Sequence, residues 1–221
     1  MENQKQQELQ ELKTSIMTFN ARWRAERWQL CPLATDMDTA KAILDASTCA
    51  VVAERGMMPK TPDAAPFFEV CRYLIGSKPW MVLYGTPGTG KTTYMRAVER
   101  AARMAHDKDS QRTVIRWEKA SGLGYILKND PAGWEAVKKC KLLLLDDAGF
   151  SGECEVVNNY GVNARPVNEV LEYRYDMQLN TVMTTNLTRE QLRDNYGERI
   201  WSRLCEMAAF VKMTGRDWRQ G

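Results

Sequence analysis

Leu9, Leu12, Ile16, Phe19 and Trp23 recur at alternating steps of three and four with polar residues between them. This spacing predicts an amphipathic helix with a narrow, coiled-coil-like stripe, ended by Cys31-Pro32. A second helix is expected to begin near Asp38 as its N-cap and to run through Ala40, Ile43, Leu44 and Val51 to Gly56. After a proline-rich loop from Met57 to Pro66, a third helix places Phe67, Phe68, Cys71, Leu74 and Ile75 on one face and stops at Gly76. The pattern then changes to short β-prone runs that alternate with helical ones. The runs are Pro79 to Tyr84, Thr113 to Trp117, Lys141 to Asp147, Asn180 to Asn186 and Ala209 to Met213.

Helical patterns fill the spaces between these runs, which is the signature of an α/β fold with a central parallel sheet. Thr93 to Ala105 has helix composition, and Pro166 to Leu179 directs Val167, Val170, Leu171 and Tyr175 inward. Ser121-Gly122-Leu123-Gly124 starts or bends a helix, since it lacks dinucleotide-binding spacing. Thr188 and Gln191 form a capping box; the helix they open breaks at Tyr196-Gly197, and another carries Glu198 to Leu204. Four consecutive leucines, Leu142 to Leu145, mark a strand buried on both faces. Ala148 to Gly161 is expected to be a loop or insertion. Residues 1–60 are expected to form a helical appendage and residues 61–221 the main domain.

Composition adds limits. The 221 residues are 44% hydrophobic and 27% charged, an ordinary globular balance, and a net charge of +3 does not by itself point to nucleic acid. Six scattered cysteines without a C-x-x-C pair, and a single histidine in the polar turn at His106, argue against a zinc site of ordinary spacing. With no leader-like opening and no membrane-length apolar run, a cytoplasmic protein with reduced thiols and no membrane partner is expected. Along the first helix charge is graded: Glu8 and Glu11 come early, while Arg22, Arg24 and Arg27 come late beside Trp23 and Trp28. That stripe could dock on the protein's own body, bind a partner, or offer a basic and aromatic contact to single-stranded nucleic acid.

The chemistry concentrates at Gly85-Thr86-Pro87-Gly88-Thr89-Gly90-Lys91-Thr92, which fits the phosphate-binding P-loop G-x-x-x-x-G-K-[ST] between a strand and a helix. Glycines let successive N–H groups turn inward, and the following helix adds its positive end. Lys91 is expected to reach the β- and γ-phosphates and Thr92 to ligate Mg²⁺. Thr93 joins the phosphate-binding stretch but comes one position too late for the metal. Asp146 and Asp147, ending the leucine strand, suit a Walker B role: Asp146 holding Mg²⁺ and Asp147 orienting or deprotonating water. Asn186, at the end of a later strand, suits either a γ-phosphate contact or an ordinary turn. Arg199 and Arg203 share a helical face, as surface ion-pairing residues or as phosphate-directed arginines.

In order and spacing, the P-loop, Asp146-Asp147-Ala148-Gly149, Thr184-Thr185-Asn186 and Gly197-Glu198-Arg199 with Arg203-Leu204 resemble the AAA+ ATPases. The likeness is greatest to bacterial helicase loaders of the DnaC and DnaI type and to IstB-type transposition ATPases. It covers Phe67 to Arg219. It implies a three-layer α/β/α P-loop fold that in this clade lacks the helical lid of most AAA+ proteins, consistent with the two residues that follow Arg219. By resemblance Asn186 is sensor 1, Arg203 is the arginine finger reaching a neighbouring subunit, with Arg199 the second choice, and Arg219 is a sensor 2-like arginine. The implied ligands are ATP and Mg²⁺. The implied setting is a homo-oligomer acting on DNA, single-stranded by preference, together with a replicative helicase or a recombinase. Two other readings stay open: a transposition or phage accessory ATPase on duplex DNA, and a nucleotide-switched scaffold that hydrolyses nothing. No N-K-x-D guanine-recognition motif occurs, which favours ATP.

Overall fold

Leu142 and Leu144 face one hydrophobic core while Leu143 and Leu145 face another. A strand can be apolar at every position only when both of its faces are covered, and here they are. The computed structural model describes residues 2–56, 64–104, 115–149, 156–159 and 162–214. Its strands are β1 (Trp80–Tyr84), β2 (Ile115–Lys119), β3 (Leu142–Ala148), β4 (Val157–Asn159), β5 (Val162–Ala164), β6 (Asn180–Thr185) and β7 (Ala208–Lys212). Its helices are α1 (Glu2–Trp28), α2 (Met37–Ala53), α3 (Ala64–Leu74), α4 (Lys91–Arg103), α5 (Leu123–Asn129), α6 (Pro131–Lys139), α7 (Pro166–Asp176) and α8 (Arg189–Met207).

Five strands form one sheet in the order β2-β3-β6-β1-β7, with every neighbouring pair parallel. Parallel pairing requires crossovers, and these lay helices on both faces. Leu44 of α2, Val70 and Leu74 of α3, and Met95 and Val98 of α4 pack with Met81, Leu83, Val182 and Val211 on one side. Leu123, Trp134, Val170, Leu171, Ile200 and Leu204, from α5 to α8, pack with Val82, Leu145 and Met183 on the other. The result is the expected three-layer α/β/α sandwich. α2 lies before the boundary expected near residue 60, yet Ala40 and Leu44 belong to the same core as α3 and α4. By contrast, residues 5–20 of α1 are exposed throughout.

Several local expectations shift. The N-cap of α2 is Asp36 rather than Asp38: its carboxylate accepts from the backbone of Asp38 and Thr39, and the Thr39 hydroxyl closes a capping box. α3 buries Val70, Cys71, Tyr73 and Leu74, whereas Phe68 turns outward under Lys41. α7 ends at Asp176 and directs Arg174 inward, with Tyr175 only partly buried. Part of the expected loop before α7 is an antiparallel hairpin of β4 and β5. α6, opened by Asp130 as N-cap and Pro131 in the first turn, was not anticipated. The Thr188–Gln191 capping box and the break at Gly197 appear as expected. His106 and residues 113–114 lie outside the described residues.

Arg174 has no exposed surface, and its guanidinium donates to the carbonyls of Lys138 and Cys140 at 2.9 Å, of Val137 at 3.3 Å and of Asn180, and to Thr181 Oγ1 at 2.9 Å. It ties the end of α6 to the start of β6. Burial lowers its pKa from the usual arginine value.

Candidate functional site

The loop from β1 to α4 is shaped by glycine where no other residue fits. Gly85 has φ 144°, and a Cβ there would lie 2.3 Å from the carbonyl oxygen of Met213, which in turn donates its N–H to Tyr84 O at 2.7 Å. Gly88 and Gly90 take φ 80° and 90°, the left-handed region that glycine adopts without steric cost. Thr89 Oγ1 donates to Thr86 O at 2.8 Å, closing the curl, with Thr86 and Pro87 on its exposed crest. Gly90 caps α4, so the free N–H groups of that helix face the loop.

Lys91, the first residue of α4, is 7% exposed and donates from Nζ to Gly85 O at 2.8 Å and Thr86 O at 2.7 Å. A buried ammonium at the positive end of a helix makes a strongly electropositive concavity, suited to a polyphosphate. Thr93, in the first turn of α4, accepts a 3.4 Å hydrogen bond from Arg55 Nη1 just past the end of α2. Sequence reasoning missed Arg55, because nothing in its neighbourhood signals that α2 ends beside the loop.

Asp146 and Asp147 lie where β3 leaves the sheet, and the β3–β6 register shifts between Leu145 and Ala148. Asp147 adopts φ 56°, which is uncommon for a non-glycine residue and turns its side chain to solvent while Asp146 stays buried. Asp146 Oδ1 accepts from Thr92 Oγ1 at 3.2 Å and from Thr184 Oγ1 at 2.5 Å. Thr184 Oγ1 in turn accepts the backbone N–H of Asp147 at 3.0 Å. One fully buried hydroxyl on β6 therefore fixes both carboxylate residues of β3. Of the expected residues, Thr92 and Asp146 are brought into contact, the backbone of Asp147 is held beside them, and Thr184 is the addition. Its only signal was the period-two alternation of the strand, which sets Thr184 apart from Thr185.

The carboxylate of Asp146 beside the Thr92 hydroxyl is a hard oxygen donor pair next to the phosphate loop, which fits Mg²⁺ chemistry. Asn186 follows β6 directly and is exposed at the same C-terminal end of the parallel strands. Arg199 and Arg203 do not reach this cluster within the chain. Arg199 Nε pairs with Glu172 at 3.0 Å and is 72% exposed. Arg203 is 14% exposed, with Glu172 at 3.7 Å, Asp176 at 3.6 Å and the Tyr175 ring at 4.6 Å. Arg219 lies outside the described residues. Among the described residues no helix is long and apolar enough to cross a membrane.

No family model and no curated protein matches the chain. Solved structures do. The DnaC helicase loader superposes with a TM-score of 0.52 at 17% identity, covering 70% of this chain and 94% of the loader. The replication initiator DnaA bound to AMPPCP and single-stranded DNA superposes with a TM-score of 0.53 at 18% identity, covering 73% of this chain and 49% of the initiator. At such identities the likeness is one of fold: the chain shares a three-layer α/β/α P-loop architecture with these two structures.

Proposed function

We propose that the protein is an ATP-dependent accessory factor of DNA replication, of the helicase-loader kind, whose ATP site works at an interface between copies of the chain. The observation that carries this is the convergence of a buried Lys91, the Thr92 hydroxyl and the Asp146–Thr184–Asp147 relay at the C-terminal ends of the central parallel strands. A protein that only bound phosphate would need the loop and Lys91. The second half of the cluster suits hydrolysis.

The loop N–H groups and Lys91 bind and orient the triphosphate, and Thr93 with Arg55 closes the near side of the loop. Thr92 and Asp146 would hold Mg²⁺, which supplies charge neutralisation on the phosphates when bound. Asp147, exposed and held by Thr184, accepts a proton from or orients the attacking water, with Asn186, just past the end of β6, as its partner. An arginine of α8 from the neighbouring protomer, Arg203 or Arg199, offsets charge in the transition state. Turnover is therefore slow in an isolated chain and rises with assembly. Single-stranded DNA and a replicative helicase, or a recombinase, are the partners this reading calls for.

Measuring phosphate release with and without single-stranded DNA tests the reading, with Lys91→Ala as the blank. Stimulation by single strands supports it. Stimulation by duplex alone supports a transposition-type ATPase instead. ATP binding with turnover equal to the Lys91→Ala blank leaves a nucleotide-switched scaffold.

A further inference from the structure

α1 is a 27-residue helix, about 40 Å long at 1.5 Å per residue. Along it Leu9, Leu12, Ile16, Phe19 and Trp23 are 49%, 59%, 51%, 67% and 37% exposed. A helix that packs on a globular body has a broad apolar face, whereas these residues occupy only the two positions per heptad of a coiled-coil seam. Leu9, Ile16 and Trp23 take the first seam position, and Leu12 and Phe19 the second. Lys5 falls on the second position one heptad earlier.

We infer that α1 pairs with α1 of a second copy of this chain as an antiparallel coiled coil. Charge decides the direction. In a parallel pair each seam residue meets its own copy, so Lys5 would face the partner's Lys5 inside the seam. In the antiparallel pair Leu9 layers on the partner's Phe19 and Leu12 on the partner's Ile16, each twice by symmetry. Lys5 then meets the partner's Trp23 at both ends, where an ammonium over an indole is favourable. The flanking positions agree: Glu8 lies across from the partner's Arg22, again twice, while Ser15 faces its own copy. One like-charge contact, Lys13 across the two-fold axis, opposes these. A parallel pair, equally two-fold, would set Glu8 beside the partner's Lys13 but would lay the acidic end on the acidic end and Lys5 on Lys5, so the gradient along the helix is complementary head to tail. The pairing also sets the two ATPase bodies at opposite ends of the helix pair, roughly 40 Å apart by the helix rise, clear of each other's nucleotide loops.

This inference does not depend on the ATPase reading, and its test omits nucleotide. Sedimentation equilibrium of the full chain, and of Lys91→Ala, should give a dimer in both. Ile16→Lys should give a monomer. Glu8→Arg or Arg22→Glu alone turns two attractive contacts repulsive and should weaken the dimer roughly ten- to thirty-fold. The double variant should restore it to within about threefold of the parent, since only the antiparallel pair places these residues together. A parent chain that stays monomeric overturns the inference, as does a double variant that fails to rescue. Thermal melting of each variant provides the control. A lowered midpoint for Ile16→Lys measured on monomers would mean that α1 docks on its own body, which also overturns it.

Discussion

Thr184→Val removes a hydroxyl from the centre of the site while keeping its volume. The hydroxyl makes two bonds: it donates to Asp146 Oδ1 at 2.5 Å and accepts from the Asp147 N–H at 3.0 Å, with no exposure to water. A hydrogen bond to a charged group contributes roughly 1.5–3 kcal/mol, and a buried donor left without an acceptor costs about 1–3 kcal/mol. Asp146 keeps the Thr92 hydroxyl at 3.2 Å, so the loss on its side is partial. A destabilisation of about 2–4 kcal/mol follows, or a fall in Tm of roughly 5–15 °C for a domain of this size. The larger effect is on turnover. Asp147 holds a left-handed conformation that a non-glycine residue adopts at a cost of about 1–2 kcal/mol, and the Thr184 hydroxyl is what holds its backbone there.

Loss of that anchor lets Asp147 relax from the position in which, on the proposed reading, it orients water, so kcat should fall roughly 10- to 100-fold with little change in ATP affinity. Thr184→Ser, which keeps the hydroxyl, should recover most of the rate. The measurement is steady-state phosphate release below the melting range, paired with nucleotide binding by fluorescence. A Thr184→Val enzyme turning over within twofold of the parent would refute the reasoning.

Lys91→Ala removes the only lysine inside the loop and should weaken ATP binding by about two orders of magnitude, measured by isothermal calorimetry. Gly85→Ala forces a Cβ to 2.3 Å from a backbone oxygen at φ 144°, so it should cost more than about 3 kcal/mol or prevent folding. Gly90→Ala, with open space but φ 90°, should cost only about 1–2 kcal/mol, and urea denaturation distinguishes the two. Arg174→Met keeps much of the shape but strips the donor from four carbonyl oxygens. It should lose roughly 3–5 kcal/mol, read as a Tm drop near 10 °C, without changing the nucleotide affinity of the folded protein.

What could be read along the chain depended on whether the determinant was local. The loop from Gly85 to Thr92, the leucine strand and the Thr188 capping box are written in contiguous residues whose backbone requirements are unusual, so pattern alone identifies them. Asp36 and Asp38 are two positions apart and both suit a cap. Only the hydroxyl of Thr39 reaching back to Asp36 decides between them. Arg174 reads as a surface residue because nothing in Tyr173-Arg174-Tyr175 predicts that three carbonyls at the end of α6 converge on it. Thr184 was legible as part of a strand but not as a relay, since its partners lie 37 and 38 positions away. α6 is the exception. Asp130-Pro131 is a local start signal, with Asp130 accepting the Gly133 N–H at 2.8 Å, and it was passed over.

The choice between Arg199 and Arg203 turns on what each must give up. To act on a neighbour's phosphates, Arg203 has to leave the Tyr175 ring and two carboxylates while mostly buried, a cost of about 1–3 kcal/mol before any gain. Arg199 leaves one exposed ion pair, worth at most about 1 kcal/mol. On energy alone Arg199 is the freer of the two, although order and spacing nominated Arg203 first. The two assignments separate in mixtures. Lys91→Ala protomers combined with Arg199→Ala protomers should regain activity that neither has alone, because each supplies what the other lacks at a shared site. Arg203→Ala should lower Tm by a few degrees and leave turnover largely intact. Rescue confined to the Arg203→Ala mixture would assign the finger to Arg203 and mean that the contacts with Glu172, Asp176 and Tyr175 break on assembly. The nucleotide would then be coupled to α7 as well as to the neighbouring subunit.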